Sequence, residues 1–208
     1  MEAQLHAELD GVINTAVPAE TDLQVFRAIQ LASQLGIVVI EAAGNGEGNL
    51  DHYRAPNGRH VLNRSLPLEL RDSGAIVVGA AATPTLPRTR HPQSNFGTRV
   101  DCHSWGEGII APGAFPAGGV VPTVTASSYW PQNPGFGHTS GASAIIAGVA
   151  LLVQDLAVRS PSGPGRLRPP VMRSLLSEPA VGTTSDAATA PIGRQPDLSR
   201  IAARFGSP

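Results

Sequence analysis

Residues 136–157 read FGHTSGASAIIAGVALLVQDLA, and this stretch decides the fold. From Thr139 or Ser140 onward, Ala142, Ile145, Ile146, Val149, Leu152, Val153 and Leu156 follow with few polar interruptions, which predicts a helix buried on nearly every side. Such a helix needs apolar layers around it, and the segments upstream supply them. Ile37-Val38-Val39-Ile40 and Ala75-Ile76-Val77-Val78-Gly79-Ala80 are apolar runs of the kind that form parallel strands covered on both faces. Gly11 to Val17 has the β-branched richness of another buried strand, and residues 2 to 9 read as a short helix. Thr21 to Gln24 fits the S/T-x-x-E/Q capping box, and Leu23, Phe26, Ile29, Leu31 and Leu35 recur at helical spacing until Gly36. Strand, helix, strand predicts a right-handed crossover in a parallel sheet.

Gly44 to Arg71 lacks sustained periodicity and reads as a long surface loop. Ala82 to Phe136 is crowded with Pro and Gly, with short strand candidates at Thr98–Asp101 and Gly108–Ala111. Ser160 to Pro170 is a Pro/Gly linker. Val171 to Leu176 follows as a short amphipathic helix, Gly182 to Ala190 is small and polar, and Asp197 to Phe205 reads as a last helix. The expected architecture is one α/β domain over 1–208: a three-layer sandwich with a mostly parallel central sheet flanked by helices.

Composition removes several classes of function. Fifteen basic residues, all Arg, balance 16 acidic ones, and no basic cluster stands out, which argues against a nucleic-acid partner. A single cysteine, Cys102, excludes an internal disulfide and any multi-cysteine metal cluster, and reads as a buried thiol. No purely apolar run reaches the roughly 18 residues of a bilayer span, so no membrane partner is expected. Met1-Glu2-Ala3-Gln4 lacks the basic and apolar regions of a signal peptide. Asn45, Glu47, Asn49 and Asp51 form an oxygen-rich cluster that would suit a structural Ca²⁺, although their spacing fits no fixed loop code, and neither a metal nor another cofactor is expected.

The chemistry concentrates in two segments. Gly137-His138-Thr139-Ser140-Gly141-Ala142, running into a helix that contains Ala147-Gly148, resembles the nucleophile motif of the subtilisin-like serine peptidases, and Ile37 to Asn45 is similar to the strand and turn that present that family's oxyanion-hole asparagine. Ser73 to Ala80 and Ser94-Asn95-Phe96-Gly97 resemble a core strand of the family and the S-N-x-G segment after it. The core match spans 11–157, with closing helices at 171–205. The resemblance implies a subtilisin-like fold, Ser140 as nucleophile, Asn45 as oxyanion donor, Ala42, Ala43, Gly44 and Thr139 as substrate-binding residues, and a polypeptide substrate. Taken alone, Ser140 also reads as a helix N-cap and Asn45 as a left-handed turn residue.

The chain departs from the family where the base and its orienting acid belong. Ahead of the strand at Gly11 to Val17, where the resemblance places them, no D-[ST]-G and no H-G-T occurs, and none of His6, His52, His60, His91, His103 and His138 is followed by Gly-Thr. The resemblance then implies that the N-terminal part of the domain, with its Asp and His, comes from an N-terminal segment or a separate chain; the alternative is an inactive module that holds peptides in the cleft. His138 stands where the family carries glycine, and is expected to line the pocket or the surface. His52, His60, His91 and His103 are expected in solvated loops.

Overall fold

The computed structural model describes residues 4–82, 88–109, 111–112, 129–130, 137–185 and 190–206. Its centre is a five-stranded sheet of β3 (Ile40–Ala42), β4 (Ile76–Ala81), β5 (Cys102–Trp105), β9 (Arg194–Pro196) and β8 (Gly182–Thr184), in that order. The first four are parallel, with Ala42 opposite Val78 and Val78 opposite Cys102, and β8 closes the far edge antiparallel to β9. Every residue of β4 is buried, as an apolar run between two layers requires.

Alternation along β4 sorts the core into its two faces. Ile76, Val78 and Ala80 meet α2 (His138–Arg159) through Ala142, Ile146, Ala150 and Val153, and α3 (Pro169–Leu176) and α4 (Leu198–Arg204) extend that layer through Met172 and Ile201. Val77 and Ala81 face the other way, onto Val17, Leu50, Tyr53, Val61, Leu62 and Ile192. The strand at 75–80 and the helices near 139, 171 and 197 thus form where their periodicities place them.

Several expectations are corrected. Residues 4–9 form a strand, β1 (Gln4–Leu9), which pairs antiparallel with β2 (Val12–Pro18). The cause is the turn: Asp10 and Gly11 both take positive φ, 53° and 78°, which is the Asp-Gly hairpin connection, and Leu5, Ala7 and Leu9 alternate inward. Gly11 to Val17 is consequently the second strand of a hairpin, with Val12 and Ile13 exposed, and the crossover expected between it and 37–40 is absent among the described residues. The cap of α1 (Leu23–Gln34) is Asp22, whose carboxylate accepts from the N–H groups of Gln24 and Val25, while the Thr21 hydroxyl donates to the Pro18 carbonyl. Ile110, within the strand candidate at 108–111, lies outside the described residues; Ala111–Pro112 pairs with Tyr129–Trp130 as β6 and β7.

Thr98 to Asp101 is no strand but the turn that carries a buried ion network. Arg99, with no exposed surface, donates to both carboxylate oxygens of Glu20 at 2.6 and 2.9 Å and to Asp101 at 3.0 Å; Asp101 also accepts from Arg64 at 2.6 Å and from the N–H of Val77 at 2.8 Å. The α2 helix is not buried all round: Leu151, Leu152 and Val158 are 73, 55 and 58% exposed. It has the length and mean hydropathy, 1.9, of a membrane span, and its inner face packs on the sheet as a core helix does.

The neighbour of this network, Glu41 of β3, is fully buried. One of its oxygens accepts the N–H of Glu20 at 2.7 Å, and the other has no partner among the described residues. Burial, and next the Glu20 carboxylate, push its pKa from 4.5 up to about 8. Between those values the folded chain holds a proton that the unfolded chain has released, so the stability contributed by the neutral acid is whole below about 4.5, declines through the window and is lost above about 8. The wild-type urea midpoint is expected to fall with pH across that window relative to Glu41→Gln, which keeps the acceptor and cannot titrate. Parallel profiles for the two proteins would refute the neutral acid.

Candidate active site

The edge strand β3 ends at Ala42, and the chain turns at Gly44 with φ of 93°. The turn brings Asn45 to the head of α2, 94 residues away in sequence. Asn45 Oδ1 accepts from the Thr139 N–H at 3.1 Å and from the Thr139 hydroxyl at 2.7 Å. Two donors on one oxygen fix which edge of the carboxamide faces the helix.

This contact answers a local shortage. The N-cap of α2 is Gly137, which has no side chain to satisfy the first N–H groups of the helix. His138 N–H finds the Gly106 carbonyl at 2.6 Å, Thr139 N–H finds Asn45, and the N–H of Ser140 has no acceptor among the described residues. Asn45 is therefore a cap supplied from across the fold. Neither of the local readings of these residues holds, because Ser140 lies inside the first turn rather than at the cap, and the left-handed residue is Gly44 rather than Asn45. Gly137 cannot be enlarged: a Cβ there would stand 2.2 Å from the Gly106 oxygen.

The Asn45 turn is itself held by Asn95, which is completely buried. Asn95 Oδ1 accepts from the N–H groups of Gly46 and Gly48 at 3.1 and 3.0 Å, and Nδ2 donates to the carbonyls of Ala16 and Ala43 at 2.7 and 2.8 Å. Its backbone N–H adds a fifth bond, to the Gly44 carbonyl at 3.0 Å. The crowding also explains two glycines: a Cβ on Gly44 or Gly46 would lie 2.7 or 2.5 Å from the Ala16 oxygen. The S-N-F-G motif carried this residue in the sequence, but nothing local showed that its amide would serve three segments.

The remaining residues fall as follows. Ala42, Ala43 and Thr139 have no exposed surface, and Gly44 is buried beside them. A cleft of about 470 Å³ opens between the hairpin and the turn, with Asn14, Ala16, Asn45 and Glu47 on its walls. The Ser140 side chain is half-buried on the first turn of α2. His138 takes φ of 52° and sets its ring edge-on to His91, with centroids 4.9 Å apart. Burial, then the charge of His138, hold the His91 imidazole below its ordinary range, and its Nδ1 accepts the Gln93 N–H. Phe136 lies outside the described residues.

His103 is corrected from loop to core. It sits in β5 with no exposed surface, and burial lowers its pKa to about 4, so it stays neutral. Cys102, beside it, is buried and burial raises its thiol pKa. His52 pairs with Asp10 at 2.5 Å. Asn49 Oδ1 takes the Asp51 N–H, and the Asp51 carboxylate takes the N–H and hydroxyl of Thr98, so these oxygens are committed to the protein itself. Among the described residues no group of three or more His, Cys, Asp and Glu side chains could hold a metal ion.

The model of the subtilase family matches residues 11–195. No curated protein sequence matches the chain. Among solved structures, the patellamide maturation protease PatA superposes with a TM-score of 0.56 at 23% identity, over 90% of this chain and 58% of that one. The subtilase cytotoxin SubAB gives 0.57 at 17% identity, over 88 and 54%, and a cold-adapted subtilisin-like serine proteinase gives 0.51 at 19%, over 86 and 51%. The chain spans little more than half the length of these structures.

Replacing Asn95 by Ala strips partners from two N–H groups and two carbonyls at once, one of each buried. We expect Asn95→Ala to lower stability by about 2 to 4 kcal/mol, read from urea unfolding. A change of a few tenths would show that water replaces the clamp without cost.

Proposed function

The chain belongs to the subtilase family, and from that premise we propose that its serine-peptidase-like site acts in endopeptidase chemistry, with Ser140 as nucleophile and Asn45 as oxyanion donor. The Ser140 oxygen attacks the carbonyl carbon of a peptide bond. Its proton passes to a histidine, oriented by an aspartate, that an N-terminal segment or a separate polypeptide brings. The carbonyl oxygen becomes negative at the head of α2, where the helix dipole favours it and the Ser140 N–H, which has no acceptor among the described residues, donates. The Asn45 NH2 group is the second donor. Collapse of the intermediate releases the amine with that proton and leaves an acyl ester on Ser140.

The observation that carries this reading is the pair of hydrogen bonds from Thr139 to Asn45 Oδ1. They bring the asparagine within one residue of the serine. The second reading, an inactive module that holds peptides, draws on His138 at positive φ in the place of glycine.

The cap and the oxyanion donor separate by mutation. A fluorophosphonate probe is expected to label the chain only when the complementing polypeptide is supplied, and not at all in Ser140→Ala. Asn45→Asp retains the capping oxygen and so the stability of α2, while peptide cleavage by the complemented protein falls roughly 10²- to 10³-fold, a magnitude known from subtilisin itself. Tight peptide binding with no labelling and no turnover in the complemented protein would sink the peptidase reading and leave the inactive module.

A further inference from the structure

A cavity of about 500 Å³ lies among β1, the start of α1 and the chain around Tyr53, and none of the residues assigned to catalysis lines it. Leu5, Ala7, Leu23 and Pro56 make its apolar wall, and Arg71 and Tyr53 supply polar groups. That size and lining suit a small organic body with one anchored polar end.

Arg71 is the reason to expect a ligand. Arg64, Arg99 and Arg173 each hold an aspartate or glutamate. Arg71 is half-buried, and no described carboxylate pairs with it. Its guanidinium gives one N–H to the Thr21 carbonyl at 3.2 Å, stacks 5.3 Å from the centre of the Phe26 ring, and encloses an Nε that has no partner. A half-buried cation with no counter-ion among the described residues is costly to keep, and an incoming carboxylate offsets that cost through charge-assisted bonds. The one acid in the lining, Asp22, accepts the N–H groups of Gln24 and Val25 on Oδ1 at 2.8 and 2.9 Å and forms no ion pair with Arg71. Burial raises the pKa of Tyr53, which keeps its phenol a donor.

We propose that this cavity binds the free C-terminal residue of a polypeptide, with the α-carboxylate on Arg71 and an apolar side chain against Leu5, Ala7, Leu23 and Pro56. The site is independent of Ser140 and Asn45, so it stands or falls without the peptidase reading.

The test titrates the intact chain, by calorimetry, with acetyl-Ala-Leu as the free acid, with the same peptide as its amide, and with octanoate. The free acid should bind at least roughly tenfold more tightly than the amide, and more tightly than octanoate. Arg71→Met should erase the difference between acid and amide. Leu23→Trp, at a position 45% exposed and therefore tolerant, should block all binding even if the Arg71 variant fails to fold. Equal binding of acid and amide, preference for octanoate, or no heat of binding up to about 10 mM would each overturn the proposal.

Discussion

The four side-chain hydrogen bonds of Asn95 are the constraint on which the rest of the site depends. A carboxamide has two donors and two acceptor lone pairs, and here all four are used inside the protein: on Ala16 of the hairpin, on Ala43 at the end of β3, and on Gly46 and Gly48 of the turn. Only a turn with glycines at 44 and 46 can come so close, since a Cβ at either would meet the Ala16 carbonyl. The turn so fixed aims Asn45 at α2, and Asn45 in turn caps a helix whose own N-cap is glycine. The order of dependence runs from a buried amide to a turn, from the turn to a second amide, and from that amide to the first turn of the serine helix. Each link exchanges an orphaned polar group for a satisfied one, which is why the arrangement is stiff without being strongly apolar.

The buried charges do a comparable job on the far side of β3. Arg99 joins Glu20, at the start of the α1 region, to Asp101, at the start of β5, and Asp101 in turn holds the backbone of β4 through Val77. Such a network contributes little net stability for its charges, but loss of one member leaves the others desolvated and unpaired. Glu41 shares this environment and escapes the penalty by remaining protonated. The strand that leads into Ala42, Ala43 and Asn45 therefore carries a neutral carboxyl group beside the Glu20 carboxyl that Arg99 holds.

What the sequence showed depended on whether a residue's role was periodic or convergent. The run at 75–80 and the stretch after Ser140 repeat their apolar pattern long enough to declare strand and helix, and the pairing of Asn45 with the serine segment followed from two motifs. The hairpin was legible too, in Asp10-Gly11 and the alternation of Leu5, Ala7 and Leu9, but six residues of alternation also fit a short helix turn. Asp22 outcompeted Thr21 as a cap because its carboxylate reaches two N–H groups. His103, Glu41 and Arg99 were beyond reach for a different reason: a polar residue in a short apolar context looks like a loop until the partner segments around it are known, and those partners lie tens of residues away.

The exposure of α2 bears on how the proposed chemistry would be assembled. A helix apolar on nearly every side is satisfied only by layers on both sides, and here the sheet covers Ile146, Ala150 and Val153 while Leu151, Leu152 and Val158 stay open. The neighbouring strand, β3, is the edge of its sheet, and Leu35 and Ile37 beside it are 68 and 54% exposed. Strand edge and helix face together make a surface that water stabilises poorly and that a further strand and helix would cover. The same helix carries Ser140, and no H-G-T occurs in the 208 residues, while the sole D-[ST]-G, Asp72-Ser73-Gly74, gives its carboxylate to Arg173. If the peptidase reading holds, the polypeptide that delivers the histidine cannot be a loose tether, because a base must be held within hydrogen-bond reach of the hydroxyl. On that reading, the exposed face of α2 and the edge that β3 forms among the described residues are the surfaces this fold offers to hold it.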